Sequence, residues 1–308
     1  MSTFSELKIE SEALPVAWVG EAFSQTLSAS GGDGAPSWSL SSGALPDGIT
    51  LSGAGVLGGT PTTGGSFTFT VQATGGGQTA SRELFMDVYN QLTITTVSLP
   101  SGVEGSAYEQ DLGASGGDGT YIWNLSEGAL PPGLDLGSGG AITGTPTATD
   151  TYSFTVQVSS AGRTVSAGYE LGVFDPLAIT TAALPQGVTG SAYSSDLSAV
   201  GGDGAYTWAV SAGALPAGLS LAPASGSISG TPTEDGAFSV TIQVQSGDGQ
   251  MATAGLSLEV AFVFSCSIQT EIPQVECEAL EVLYNTTNGP GWTVATDWFS
   301  SFQPCDWH

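Results

Sequence analysis

Catalysis needs nucleophiles, acids, bases or metal ligands at workable spacing, and this chain offers few. Its one histidine, His308, stands at the last position given, so no Ser-His-Asp or Cys-His arrangement and no histidine-based zinc site is expected. Cys266, Cys277 and Cys305 are separated by steps of eleven and twenty-eight residues, which match no zinc pattern. The Gly-Gly-Asp-Gly strings at 31–34, 116–119 and 201–204 are glycine-rich but lack the lysine and following helix of a phosphate loop; they read as turns. Paired carboxylates would need a cleft to work in. No catalytic residue and no enzyme activity are expected.

Charge narrows the partners further. Twenty-nine Asp and Glu face only three cations, Lys8, Arg82 and Arg163, giving a formal net charge of −26. So few cations cannot neutralise phosphates, which excludes nucleic acid as a partner. The same sign argument excludes anionic membrane surfaces. The dispersed acids keep a Gly- and Thr-rich surface soluble, and divalent cations remain possible partners. No run approaches 18 apolar residues, so no membrane insertion is expected. Residues 1–6 lack the basic and apolar regions of a signal peptide; Met1 reads as the start of a fragment.

The elements that position these residues come from an internal repeat. The Gly-Gly-Asp-Gly strings recur at a step of 85 residues. Leu14-Pro15, Leu99-Pro100 and Leu184-Pro185 keep that step, as do Trp38, Trp123 and Trp208, and Leu45-Pro46, Leu130-Pro131 and Leu215-Pro216. Gly59-Thr60-Pro61 recurs at Gly144 and, one residue late, at Gly230. The period is too long for a helical solenoid unit and suits a small domain. Within the second copy Tyr152, Phe154, Val156 and Val158 alternate with polar residues, the pattern of a half-buried strand. About seven short strands per copy are expected, spaced as in a β-sandwich. Trp38, Trp123 and Trp208 are expected as core plugs between two sheets, and not as exposed sugar platforms.

These strings, from Leu-Pro-x-Gly through Gly-Gly-Asp-Gly-x-Tyr-x-Trp to Gly-x-Ile-x-Gly-Thr-Pro-Thr, resemble the Putative Ig domain family of bacterial surface proteins, a cadherin-like branch of the Ig fold. The first copy departs mildly, with Phe23 for the tyrosine, Pro36 before the tryptophan, and Val56-Leu57-Gly58 for Gly-x-Ile. The expected fold is all-β: three tandem Ig-like, cadherin-like β-sandwiches plus a small C-terminal helical cap fragment. The expected divisions are a tail at 1–6, repeats at 7–90, 91–174 and 175–262, and a last segment at 263–308. The resemblance also implies a possible calcium at the junctions, held by Asp87 and Asn90 at the first and Asp175 at the second, since cadherin-like domains stiffen such junctions with oxygen-ligated calcium. No other cofactor is expected.

Composition changes after residue 262, and all three cysteines lie there. Residues 274–284 suit a short amphipathic helix, ended by Asn288-Gly289-Pro290-Gly291. Glu276-Cys277-Glu278-Ala279-Leu280, the Asn285–Trp292 string, and Pro304-Cys305-Asp306-Trp307 resemble the N-terminal cap of bacterial leucine-rich repeat proteins. Cys266 and Cys277 bracket a short loop and form the preferred disulfide. In the cap pattern the partner of a cysteine like Cys305 lies several residues further on, so Cys305 is left unpaired within this chain. A disulfide implies an oxidising compartment. Asn124 and Asn285 match the glycosylation sequon; Asn124 is expected to be an outward strand residue.

Three functions follow as expectations. The first is an extracellular or cell-surface structural or adhesive stalk, presenting a recognition domain to a protein or glycan ligand. The second is a self-assembling fibre subunit, joined by strand addition through unguarded sheet edges and a free strand-like segment at 4–10. The third, a carbohydrate-binding module, requires aromatic residues exposed in a row.

Overall fold

A computed structural model describes residues 5–261 and 273–286. The chain divides into two units, Met1–Phe174 and Asp175–His308. The first repeat contains β1 (Lys8–Ile9), β2 (Ala17–Trp18), β3 (Phe23–Thr26), β4 (Ala29–Ser30), β5 (Ser37–Gly43), β6 (Ile49–Leu51), β7 (Val56–Gly59), β8 (Gly65–Gly75) and β9 (Gln78–Ile94). The second adds β10 (Gly102–Val103), β11 (Tyr108–Asp111), β12 (Ala114–Gly117), β13 (Ile122–Gly128), β14 (Leu134–Leu136), β15 (Ala141–Gly144), β16 (Asp150–Ser160) and β17 (Arg163–Phe174). The third holds β18 (Ala178–Ile179), β19 (Gly187–Val188), β20 (Tyr193–Asp196), β21 (Ala199–Val200), β22 (Tyr206–Gly213), β23 (Leu219–Leu221), β24 (Ser227–Gly230), β25 (Gly236–Ser246) and β26 (Met251–Ala261). A helix, α1 (Gln274–Thr286), follows.

Each repeat uses one plan. In the second, a sheet ordered β10-β17-β16-β13 faces a three-stranded sheet ordered β11-β15-β14. The third repeats this as β19-β26-β25-β22 and β20-β24-β23. The first has β2, β9, β8 and β5 in one sheet and β3-β7-β6 in the other. In each, the two longest strands pair as an antiparallel hairpin, and a two-residue strand joins the larger sheet in parallel. These two-residue strands are too short to show alternation in sequence, which is why about seven strands were expected where the structure has more.

Alternation places the core. Phe154, Val156 and Val158 on β16 and Tyr169, Leu171 and Val173 on β17 are buried, with their strand neighbours turned outward, as a period of two requires. Trp123 is 3% exposed, and Trp38 and Trp208 are 7% and 3%. All three are sandwich plugs belonging to the core of their own repeat. Beside each indole sits a glycine with positive φ. At Gly140 (φ +99°) an added Cβ would lie 2.8 Å from Trp123 Nε1; Gly55 and Gly226 do the same for Trp38 and Trp208. That backbone conformation and that closeness both require glycine.

The boundary between the first two repeats lies inside a strand. β9 pairs with β8 from Gln78 to Val88 and then with β12 from Asn90 to Ile94. One strand therefore serves two sandwiches, without a linker. Next in the series, β17 ends at Phe174 and β18 begins at Ala178, with Asp175-Pro176-Leu177 between them. Pro176 stands where Gln91 stands one repeat earlier, and proline cannot supply the N–H a ladder needs.

Candidate functional site

The first junction gathers the charged and aromatic groups that the sandwich plan itself does not use. β2 carries Trp18 at the end of the first repeat, and the turn after it carries Glu21. β9 brings Tyr89 and then Gln91 to the boundary. The β16–β17 hairpin of the second repeat delivers Arg163, the first residue of β17. Arg163 Nη1 and Nη2 donate to Glu21 Oε1 and Oε2, a bidentate fork across the boundary. Its guanidinium carbon lies 4.2 Å from the Trp18 ring centroid. Trp18 meets Tyr89 edge-on at 5.7 Å and 65°. Gln91 Nε2 donates to Glu21 Oε1 at 3.0 Å and to the Val19 carbonyl at 2.8 Å. Arg163 Nη1 also donates to Gln91 Oε1. Arg163 and Gln91 together hold the Glu21 carboxyl below the usual carboxylate range, because both favour its charged form. Trp18 is 7% exposed yet lies outside the core cluster of its own repeat; Arg163 and Tyr89 are the ring contacts that flank it.

The other repeats spend the matching hairpin position differently. Gln78 holds its own repeat's first strand: Oε1 accepts from Leu7 N at 2.7 Å and Nε2 donates to the Ser5 carbonyl. Gln250 does the same with Leu177 N at 2.9 Å and the Asp175 carbonyl at 3.1 Å. Arg163 replaces that glutamine. Val103 and Val188 stand in place of Trp18, and Ser106 and Ser191 in place of Glu21. None of the four junction residues Trp18, Glu21, Gln91 and Arg163 was singled out for this role from sequence. The signal was partly present: aligning the copies at their 85-residue step exposes Trp/Val/Val and Ser in place of Glu21, and Arg163 is one of only three cations. But Gln250 lies 87 residues after Arg163, and its match to Gln78 emerges only from its hydrogen bonds.

The Gly-Gly-Asp-Gly strings are turns with a built-in acceptor. Asp118 Oδ1 accepts from Thr120 N at 2.8 Å and from Ser160 Oγ at 2.8 Å. Asp203 repeats this with Ala205 N, Ser246 Oγ and Gly247 N. Ser160 and Ser246 are the two buried polar residues among those described, and each is satisfied by its aspartate. In the first repeat Gly75 stands in place of the serine, and Asp33 Oδ1 lies 2.8 Å from where its Cβ would be. Backbone bonds from Gly76 and Ala35 lower Asp33, backbone and serine bonds lower Asp118, and serine and backbone bonds lower Asp203. The first glycine of each string packs against the start of its repeat: an added Cβ at Gly116 would lie 2.0 Å from the Gln91 carbonyl oxygen.

The residues expected to hold calcium are partly committed elsewhere. Asp87 accepts from Ser66 Oγ, and the Asn90 amide lies against Gly64. The Asp175 carbonyl accepts from Gly202 N and Gln250 Nε2. Among the described residues no cluster of three His, Cys, Asp or Glu is placed to hold a metal. Calcium takes six to eight oxygens, and Asp87 and Asn90 bring two side chains to the first junction.

Two features bear on the fibre and sugar readings. The described part of the segment at 4–10 is not free, because Lys8–Ile9 pairs with Ala29–Ser30; residue 4 lies outside the described residues. The edge strands β5, β13 and β22 each carry a bulge, between Leu40 and Ser42, Leu125 and Glu127, and Val210 and Ala212. Bulged edges resist pairing with another chain, so these three edges have a guard that residue composition did not reveal. Among the described residues Phe85 is the exposed large aromatic, at 64%, and it makes no row with another. Asn124 is exposed on β13, as expected.

The C-terminal helix is described only over Gln274–Thr286. Cys277 is buried and disulfide-bonded; Cys266, Cys305, His308 and most of the cap-like string lie outside the described residues. No helix among the described residues is long and apolar enough to cross a membrane.

The sandwich plan and its repeat define the class, a tandem Ig-like β protein. The Putative Ig domain model matches residues 7–90, 91–174 and 175–261, and the chain belongs to that family. No curated protein sequence matches it. Among solved structures it is similar to extracellular domains 3–5 of Drosophila OTK, at 12% identity and TM-score 0.44, covering 83% of this chain and 97% of that one. It is also similar to a three-domain I-band fragment of titin, at 13% identity and TM-score 0.41, covering 83% and 99%. For extracellular repeats 22–24 of mouse cadherin-23 the figures are 15% and 0.32, covering 84% and 99%. Such scores add nothing to the family match.

Proposed function

We propose that this chain is an extracellular stalk segment of a bacterial cell-surface protein, structural or adhesive in role, which carries a recognition domain for a protein or glycan ligand. The observation behind this reading is β9, one unbroken strand shared by two sandwiches. A shared strand removes the linker about which two repeats could bend freely. Three self-contained cores give length without needing a catalytic cleft. The cap-like string after residue 273 fits a leucine-rich repeat domain as the element presented, and the family resemblance fits a bacterial surface. Export is supported by the disulfide at Cys277, for which Cys266 is the proposed partner; peptide mapping under non-reducing conditions identifies it.

Size-exclusion chromatography with light scattering, under reducing conditions and at high concentration, tests the stalk against the fibre. A single monomeric species is expected. Concentration-dependent polymers would replace the stalk reading with the fibre. Calcium at Asp87, Asn90 and Asp175 is tested by melting the chain with and without a chelator: a ligand that binds the folded state raises Tm, and an unmoved Tm removes the metal.

A further inference from the structure

We propose that the Trp18–Glu21 surface of the first repeat is a docking site for one occupant, the Arg163 hairpin of the second repeat, and that this contact locks the first junction at a fixed angle. A shared strand resists bending at the boundary but leaves twist about its own axis unopposed, and relative motion is the default where contacts between repeats are small. Here a second attachment lies away from the strand. The fork from Arg163 to Glu21 fixes direction as well as distance, because guanidinium and carboxylate are both planar. The Trp18 ring supports the guanidinium from below at 4.2 Å, an arrangement that suits arginine. Gln91, at the boundary, closes the set by donating to both Val19 and Glu21.

The sequence makes the lock specific to this pair. The hairpin position is glutamine in the first and third repeats, where Gln78 and Gln250 tie down their own first strands. In the second it is Arg163, which reaches the preceding repeat instead. The receptor residues are equally singular: valine replaces Trp18 and serine replaces Glu21 in both other copies. The hairpin tip also holds Ala161 at φ +49°, the non-glycine residue with positive φ among those described, a conformation that costs energy and persists where surroundings enforce it.

The test is the spread of distances between spin labels at Ser24 and Glu109, exposed on corresponding strands of the two repeats. The labels are carried on encoded unnatural residues so that the native cysteines stay untouched. In the full chain a single narrow distribution is expected. R163Q, which installs the residue of the sister repeats, should broaden it about twofold, as regained twist about the shared strand implies. E21S and W18V should broaden it to a similar extent, and R163Q combined with E21S should add nothing beyond either alone. E21S alters only a half-exposed carboxylate, so it keeps the test decisive if R163Q disturbs its own hairpin. Unchanged widths in E21S and R163Q, with the melting of the repeats intact, would overturn the proposal.

Discussion

The aspartate of each Gly-Gly-Asp-Gly turn is held ionised by hydrogen bonds, and this gives the fold an acid-sensitive limb. Asp33, Asp118 and Asp203 all titrate below the ordinary aspartate range in the folded chain. A lowered carboxylate contributes stability that is fully present above its unfolded pKa, about 3.9, and is lost as pH falls through the folded value. Tm should therefore drop below about pH 4, and D118N, which keeps an acceptor but cannot ionise, should flatten that limb. The tyrosines act at the other end. Burial pushes Tyr108, whose hydroxyl donates to the Pro100 carbonyl, up to about 12. Its contribution is intact below about pH 10 and lost between there and about 12. Y108F should flatten the alkaline limb of the melting curve; the first repeat already carries Phe23 at that position. At this scale the sequence was only partly legible. Trp123 and its copies could be placed in the core because alternation fixes a strand's inner face. Trp18 could not, because one of the two groups flanking its ring is Arg163, a residue far along the chain in another repeat.

At the scale of elements, the core of each sandwich rests on a tryptophan seated against a glycine. W123A should cost the second repeat about 3–5 kcal/mol, through lost burial and the cavity left behind, read as a lower denaturant midpoint for that repeat. G140A should destabilise the same repeat, because it crowds the indole and forces alanine to positive φ. An exposed sugar-binding tryptophan would make W123A nearly neutral for stability, within about 0.5 kcal/mol. Long strands such as β16 and β25 could be read from alternation, and the turns from Leu-Pro-x-Gly. The bulges on β5, β13 and β22 could not, since a bulge depends on register with a partner strand. The same limit hid the pairing of Lys8–Ile9 with β4, and with it the loss of a free donor strand.

For the whole molecule, the 85-residue step decided the architecture, because markers held in register over that distance mean a domain is being repeated. What the step did not disclose is that its first boundary runs through the middle of β9. Hydrophobic pattern marks where a strand is, not where one domain's claim on it ends. Stretching the full chain end to end, one molecule at a time, tests the central claim of three separately made cores most directly. Three unfolding events are expected, each releasing about 300 Å of contour, which is about 85 residues at about 3.6 Å apiece. A single event releasing the whole length at once would contradict it, since the repeats would then share one core.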